Sequence, residues 1–260
     1  HALGEQGGEL ALKLVEGSAL GVLREGPGEA SASFAALPAA ARALARAPSP
    51  LLVVTKANTR STVHRDGYTD YVGVKRFDAQ GRVVGEHRFI GLFPSTAYSA
   101  RVSETPLLRR KVAAVAQRAG FSPHGHLAKS LQHTMESFPR DDLFQIPEQE
   151  LYEVAMGILA LGERHRLRLF VWQDPFDRFV SCLVYVPRES FSTQLPLKVQ
   201  KLLLQAFDGN HIDFDVLLSG TQLARIHFTV RVAPKPMPRW GRRDLERKLA
   251  AEGGRWDDGL

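Results

Sequence analysis

The stretch RLRLFVWQDPFDRFVSCLVYVPRESFSTQLPLKVQKLLLQAFDG, residues 166–209, decides the fold. RLRLFVWQ (166–173) and RFVSCLVYVPR (178–188) are rich in β-branched and aromatic residues and read as strands. Asp174, Pro175, Phe176 and Asp177 form a tight turn between them. The period then changes: STQLPLKVQKLLLQAFDG reads as a helix, capped by Ser192 and stopped at Gly209. Pro196 falls in its first turn, where proline is tolerated.

Working outward, HIDFDVLLSG and ARIHFTVRV are two further strands downstream. Upstream, LFQI (143–146) reads as a short strand. PEQELYEVAMGILALGE (147–163) reads as a helix with Leu151, Val154, Ile158 and Leu161 inward. The predicted order is β-α-β-β-α-β plus one extra strand, the ferredoxin-like pattern with an antiparallel sheet. A proline-rich linker, APKPMPRWG, and a short charged helix, RRDLERKLAAEGG, follow it.

Residues 105–138 carry two helical patterns, TPLLRRKVAAVAQRAG and HLAKSLQHTMESF. Thr105 is the expected N-cap of the first and Gly120 its end. Residues 51–98 read as β. Asp66-Gly67 is one expected turn, and Ala79-Gln80-Gly81 joins a hairpin. Two short strands are expected before residue 30, and an alanine-rich helix over 37–50. The fold class is therefore α+β. Four parts are predicted: a β-rich module over 1–100, a helical connector over 101–140, a ferredoxin-like module over 141–234, and a linker with a short helix over 235–260.

The totals bound the chemistry. The chain has 260 residues, 44% of them apolar, a net charge of +6 and one cysteine. Cys182 alone excludes an internal disulfide and any multi-cysteine metal site, which suits a reducing, cytoplasmic setting. Mid-strand among Leu and Val, it reads as a small buried hydrophobe. No apolar run reaches the length of a membrane span. The chain opens on HALGEQGGELALKLV without an initiator methionine, which suggests a fragment.

RSTVHRDGYTDY (60–71) looks like an active site. However, Ser61 and His64 are three apart on a strand, so they face opposite sides, and no nucleophile-elbow motif surrounds them. Arg60, His64 and Arg65 fit an anionic contact better, and a half-buried strand with a solvated face accounts for the same residues. His124-Gly125-His126 lacks further ligands for zinc. His165, His211 and His227 read as strand ends or surface. No dinucleotide or phosphate-loop motif is present. RFVSCLVY lacks the glycine and paired aromatics of an RNA-recognition strand, so RNA binding rests on charge and topology alone. No catalytic, cofactor or metal residue is assigned.

TKANTRSTVHRDGYTDYVGVKRFDAQGRVVGEHRFIGLFPSTAYS, PLLRRKV, FPRDDLFQIPEQELYEVAMGIL and RLRLFVWQDPFDRFVSCLVYVPRESFST resemble, in order, segments of the large bacterial NAD-specific glutamate dehydrogenases. The resemblance covers about residues 50–232. It implies the region ahead of the catalytic domain, built of ACT-like modules, a PAS-like module and helical connectors. The β-rich part would be PAS-like and residues 141–234 ACT-like. The glutamate-binding lysines and the NAD-binding domain would lie elsewhere in the parent enzyme, so no catalytic residue carries over and this segment would hold no cofactor. The implied partners are the catalytic domain and other modules of the same chain, a second copy in a homo-oligomer, and an amino-acid effector. No nucleic acid or membrane partner is implied. A purely structural oligomerisation segment and an RNA-binding ferredoxin-like protein are the alternatives.

Overall fold

A computed structural model describes residues 2–6, 9–13, 15, 17–21, 39–61, 67–162, 166–174, 176–218, 222–233 and 242–254. The chain divides into two compact units, 1–94 and 95–260.

The first unit holds β1 (Ala2–Gln6), β2 (Glu9–Lys13), α1 (Ala39–Arg46), β3 (Leu52–Ser61), β4 (Gly67–Phe77) and β5 (Val83–Gly91). The strands form one antiparallel sheet in the order β2-β1-β5-β4-β3. The expected hairpin after β4 is present. The Asp78 carboxylate accepts the N–H groups of Gln80 (3.0 Å) and Arg82 (2.8 Å), and Gly81 takes φ +76°, a conformation glycine adopts without strain. β3 and β4 pair up to Ser61↔Gly67. The connection between them, with Asp66 of the expected turn, lies outside the described residues. Lys75 is buried on β4 and donates to the carbonyls of Leu44 and Ala47 at 2.7 Å each, satisfying acceptors at the end of α1.

The second unit starts with helices: α2 (Ser95–Ser99), α3 (Leu108–Ala119), α4 (His126–Ser137), α5 (Arg140–Gln145) and α6 (Glu148–Leu161). α3, α4 and α6 pack on one another through Leu108, Val115, Leu131, Met135, Leu151 and Ala155, all buried. Thr105 is not the N-cap of α3. Its hydroxyl donates to the Arg101 carbonyl (2.9 Å), and the helix begins after Leu107. Gly120 ends it in the left-handed conformation, as its position predicts.

LFQI is the end of a helix rather than a strand, with Leu143–Gln145 in α5 and Ile146 as its C-cap. Asp141 and Asp142 sit in the first turn of α5, where carboxylates favour the helix N-terminus. Lys111 on α3 holds the other end. Its ammonium donates to the carbonyls of Leu143 (2.9 Å), Phe144 (3.0 Å) and Ile146 (2.8 Å).

The chain then forms β6 (Arg168–Gln173), β7 (Phe179–Pro187), α7 (Leu195–Phe207), β8 (Gly209–Leu217), β9 (Leu223–Val232) and α8 (Arg242–Gly254). The β6–β7 turn is held by Asp174, whose carboxylate accepts the Phe176 N–H (3.0 Å) and the Arg178 side chain (3.2 Å). α7 starts at Leu195 with Gln194 as N-cap, not at Ser192, and Asp208 ends it in the left-handed conformation.

The sheet is antiparallel with order β6-β7-β9-β8. β7 and β8 run parallel on either side of β9, and α7 crosses between them. With α6 outside the sheet unit and α8 inside it, the order is β-β-α-β-β-α. That is a ferredoxin-like arrangement whose first strand, β6, stands where the last would be, a circular permutation of the predicted order.

α8 is a packed helix, because Leu245 and Leu249 join the core under α7. One sheet face (Val180, Cys182, Val184, Ile226, Phe228, Val230) packs against Val199 and Leu203 of α7. The opposite face is also covered. Phe138, just after α4, stacks at 5.5 Å from Trp172 of β6, and Gly157 of α6 lies directly against Phe170. β7 is consequently buried on both faces, apart from a half-buried Tyr185.

Candidate functional site

The second sheet face places charge where a core would be apolar. Side chains at alternate positions share a face, so Ser181 of β7, Asp215 of β8, and Arg225 and His227 of β9 line up across the sheet. α5 brings Asp142 onto the same spot. Asp142, Ser181, Arg225 and His227 are each under 9% exposed.

Asp142 is the hub. One carboxylate oxygen accepts the Ser181 hydroxyl at 2.8 Å, and the other lies 2.5 Å from His227 Nε2. The second His227 nitrogen, Nδ1, faces Asp215 at 3.0 Å. Arg225 lies 3.6 Å from Asp215 and donates to the Ser137 carbonyl at the end of α4. Two helices and three strands thus meet in one polar seam.

With a carboxylate beside each ring nitrogen, His227 is an imidazolium, hydrogen-bonded to Asp215 through Nδ1 and ion-paired with Asp142 through Nε2. Burial opposes that charge, but Asp142 and Asp215 outweigh it and hold the pKa up at about 9. Asp215 sits at the exposed rim. Burial pushes its carboxyl up, and the His227 and Arg225 cations more than reverse this, leaving it below the usual range.

The arrangement does not support nucleophilic catalysis. A serine triad needs histidine between serine and aspartate, with one nitrogen free to take a proton. Here aspartate is in the middle and both histidine nitrogens are engaged. Nor is any group of three or more His, Cys, Asp or Glu side chains among the described residues placed to hold a metal ion. The seam can fix helices to sheet and resist their separation, since parting them strands buried charge.

The residues singled out by sequence fall elsewhere. Arg60 is exposed near the end of β3, its guanidinium 5.3 Å over the ring of Tyr68 across the strand pair. His64 and Arg65 lie outside the described residues, as does His165. His124 and His126 are exposed, and so is His211, which contacts Asp213. Cys182 is fully buried as expected, and burial pushes its thiol pKa well up.

His227 corrects the expectation of a surface or strand-end histidine. It is mid-strand and buried because α5 covers it. The missed signal is in β7: FVSCLVYVP has no polar alternation, so both of its faces are covered. The polar row beside it in ARIHFTVRV must then be covered too.

Comparison with known proteins agrees with this geometry. Residues 105–164 match the family described as Glutamate dehydrogenase, helical motif 1, and residues 168–257 match Glutamate dehydrogenase, ACT2 domain. The seam therefore joins two recognised segments, Asp142 from the first and Ser181, Asp215, Arg225 and His227 from the second.

The NAD-specific glutamate dehydrogenase of Halomonas elongata is 44% identical over 214 residues, 82% of this chain and 13% of the relative. Its namesake in Pseudomonas aeruginosa is 44% identical over 185 residues, 71% of this chain and 11% of the relative. That of Mycobacterium tuberculosis is 33% identical over 182 residues, 70% and 11%. The chain spans only 11–13% of the length of these relatives. It belongs to the glutamate dehydrogenase family, with residues 105–164 as its helical motif 1 and residues 168–257 as its ACT2 domain.

Proposed function

We propose that this chain is a non-catalytic regulatory and assembly segment of an NAD-dependent glutamate dehydrogenase, which deaminates L-glutamate to 2-oxoglutarate. The catalytic and NAD-binding residues would lie in other parts of the same cytoplasmic, homo-oligomeric enzyme. One observation carries this reading. The ionic seam ties the ACT2 sheet to the helical motif, so a change in the sheet module cannot occur without repacking α4 and α5.

A module coupled in this way biases its neighbours only as far as a ligand or subunit prefers one arrangement. The order β2-β1-β5-β4-β3, with α1 between β2 and β3, supports a PAS-like first unit. Arg60, with His64 and Arg65 nearby in sequence, is proposed as an anionic contact there. An RNA-binding role finds no support in the sheet face that would stack bases, because α4–α6 cover it.

The test uses the full-length enzyme with His227→Leu in this segment. Subunit assembly is measured together with turnover in the presence and absence of a panel of amino acids and 2-oxo acids. An altered effector response with basal turnover retained supports regulation. Altered oligomer size with the response intact supports the purely structural alternative. If assembly and response are both unchanged, the proposal fails.

A further inference from the structure

A second feature lies on the far side of α6 from the helical core. A cavity of 290 Å³ opens between α6 and the edge strand β6. Its walls include Glu150, Glu153 and Gly157 from α6, and Phe170, Trp172 and Gln173 from β6. Its volume is at the lower end of the range of small-molecule sites.

The two glutamates are three apart on one helix, so both carboxylates face the same side. Glu153 accepts the Gln149 amide at 2.5 Å. Glu150 is half-buried and has no hydrogen-bond or ion-pair partner among the described residues. Burial and the neighbouring Glu153 push its carboxyl pKa up. Among the described residues no cation pairs with either carboxylate, although the chain as a whole is basic.

The β6 backbone adds polar groups. The Leu169 N–H points away from β7, because it donates to Glu246 of α8 at 3.1 Å. In an antiparallel edge strand, alternate residues share that direction. Val171 and Gln173 therefore turn their N–H and C=O groups outward beside the cavity.

Trp172 and Phe170 supply an aromatic wall. Both are mostly buried, and Phe170 is held by the close approach of Gly157. Unpaired carboxylate, outward carbonyls and aromatic rings together suit one ligand chemistry. An alkylammonium group would be drawn to the carboxylates, donate to the carbonyls and lay its aliphatic stem on the rings.

We infer that the α6–β6 cavity binds a small primary amine, its ammonium group held by Glu150 and Glu153 and its aliphatic body by Phe170 and Trp172. This deepens the regulatory reading, because it gives the segment something to sense. The amine would bridge the helical motif and the ACT2 sheet, adding a ligand-dependent tie beside the permanent ionic seam.

The experiment is calorimetric titration of the chain with 1,4-diaminobutane and n-butylamine, with 1-butanol as the uncharged control. Saturable binding of both amines but not the alcohol is expected. In Glu150→Gln/Glu153→Gln the affinity should drop by about tenfold or more, the equivalent of one lost charge contact. The variant should melt at least as high as the parent, since it removes two like charges. The inference is overturned if neither amine saturates by about 10 mM, a range covering millimolar affinity. Equal binding to the double variant, or equal binding of 1-butanol, also overturns it. The measurement reads binding alone, so its failure leaves the seam and the assembly role standing.

Discussion

His227→Leu is the sharpest probe of the seam. The folded imidazolium has a pKa of about 9 against an ordinary value of 6.5. At about 1.4 kcal/mol per pKa unit, the charged form contributes about 3 kcal/mol to folding. Because the folded pKa is raised, that stabilisation is fully present below pH 6.5 and is lost as the pH climbs through 9. Asp215 acts in the opposite sense. Its depressed carboxyl stabilises above the ordinary carboxylate range and stops doing so on acidification.

Replacing His227 with leucine leaves Asp142 buried without its cation, which costs about 3–5 kcal/mol. For a domain of this size that lowers the melting temperature by roughly 10 °C. The assay is urea unfolding of parent and variant from pH 6 to pH 9.5. The quantity of interest is the difference between them, because Lys111 contributes an opposing slope to both. A gap of several kcal/mol at pH 6 should close to about 1 kcal/mol by pH 9.5, where the parent histidine is mostly neutral. A gap that stays constant across this range refutes the buried imidazolium. A gap below about 1 kcal/mol at pH 6 refutes the seam as a structural tie, since breaking a buried pair costs more than that.

Two further substitutions test the helices that flank the seam. Burial lowers the pKa of Lys111 to about 8, with Glu148 resisting, so stability gains from its neutral form as the pH rises between 8 and 10.5. Lys111→Met should abolish that rise in urea titrations and cost about 2–3 kcal/mol at pH 7 by orphaning three carbonyls at the end of α5. In Gly157→Ala, the new Cβ would stand 2.5 Å from the Phe170 ring, and overpacking of that kind costs about 1–3 kcal/mol. Thermal unfolding should recover part of the loss in Gly157→Ala/Phe170→Leu, and an unchanged melting temperature in the single variant contradicts the close approach.

The β4–β5 and β6–β7 hairpins were legible because their signals are local. Each combines alternating strand residues with a turn whose aspartate, Asp78 or Asp174, closes on its own backbone. α5 was not legible because LFQI is too short to show a period, and short apolar runs fit helix or strand equally. What decides it is Lys111, more than thirty residues upstream, holding the carbonyls at its end. α8 was legible as a short charged helix but its packing was not, since a stripe of two leucines looks weak until the facing wall of α7 is known. The seam was least legible of all. Arg225 and His227 have the spacing of a solvated strand face, and only the return of α4 and α5 over the sheet converts that face into an interior.

That the interior face is ionic rather than apolar follows from what it must do. A purely apolar contact between helices and sheet would tolerate sliding, because hydrophobic burial has little directionality. His227 instead takes one carboxylate from α5 and one from β8, and Asp142 is shared between β7 and β9. Each group has its partners at only one register of helix against sheet. Asp142→Leu/His227→Leu should accordingly regain most of the stability lost in the single variant, since paired apolar residues can replace a buried ion pair. It should also lose the fixed register, seen as faster hydrogen exchange across α5 and β9 at matched global stability. If exchange there stays as slow as in the parent, shape complementarity at Phe138–Trp172 and Gly157–Phe170 is enough to set the register. The charges would then have to be explained by the motion of the segment rather than by its rest state.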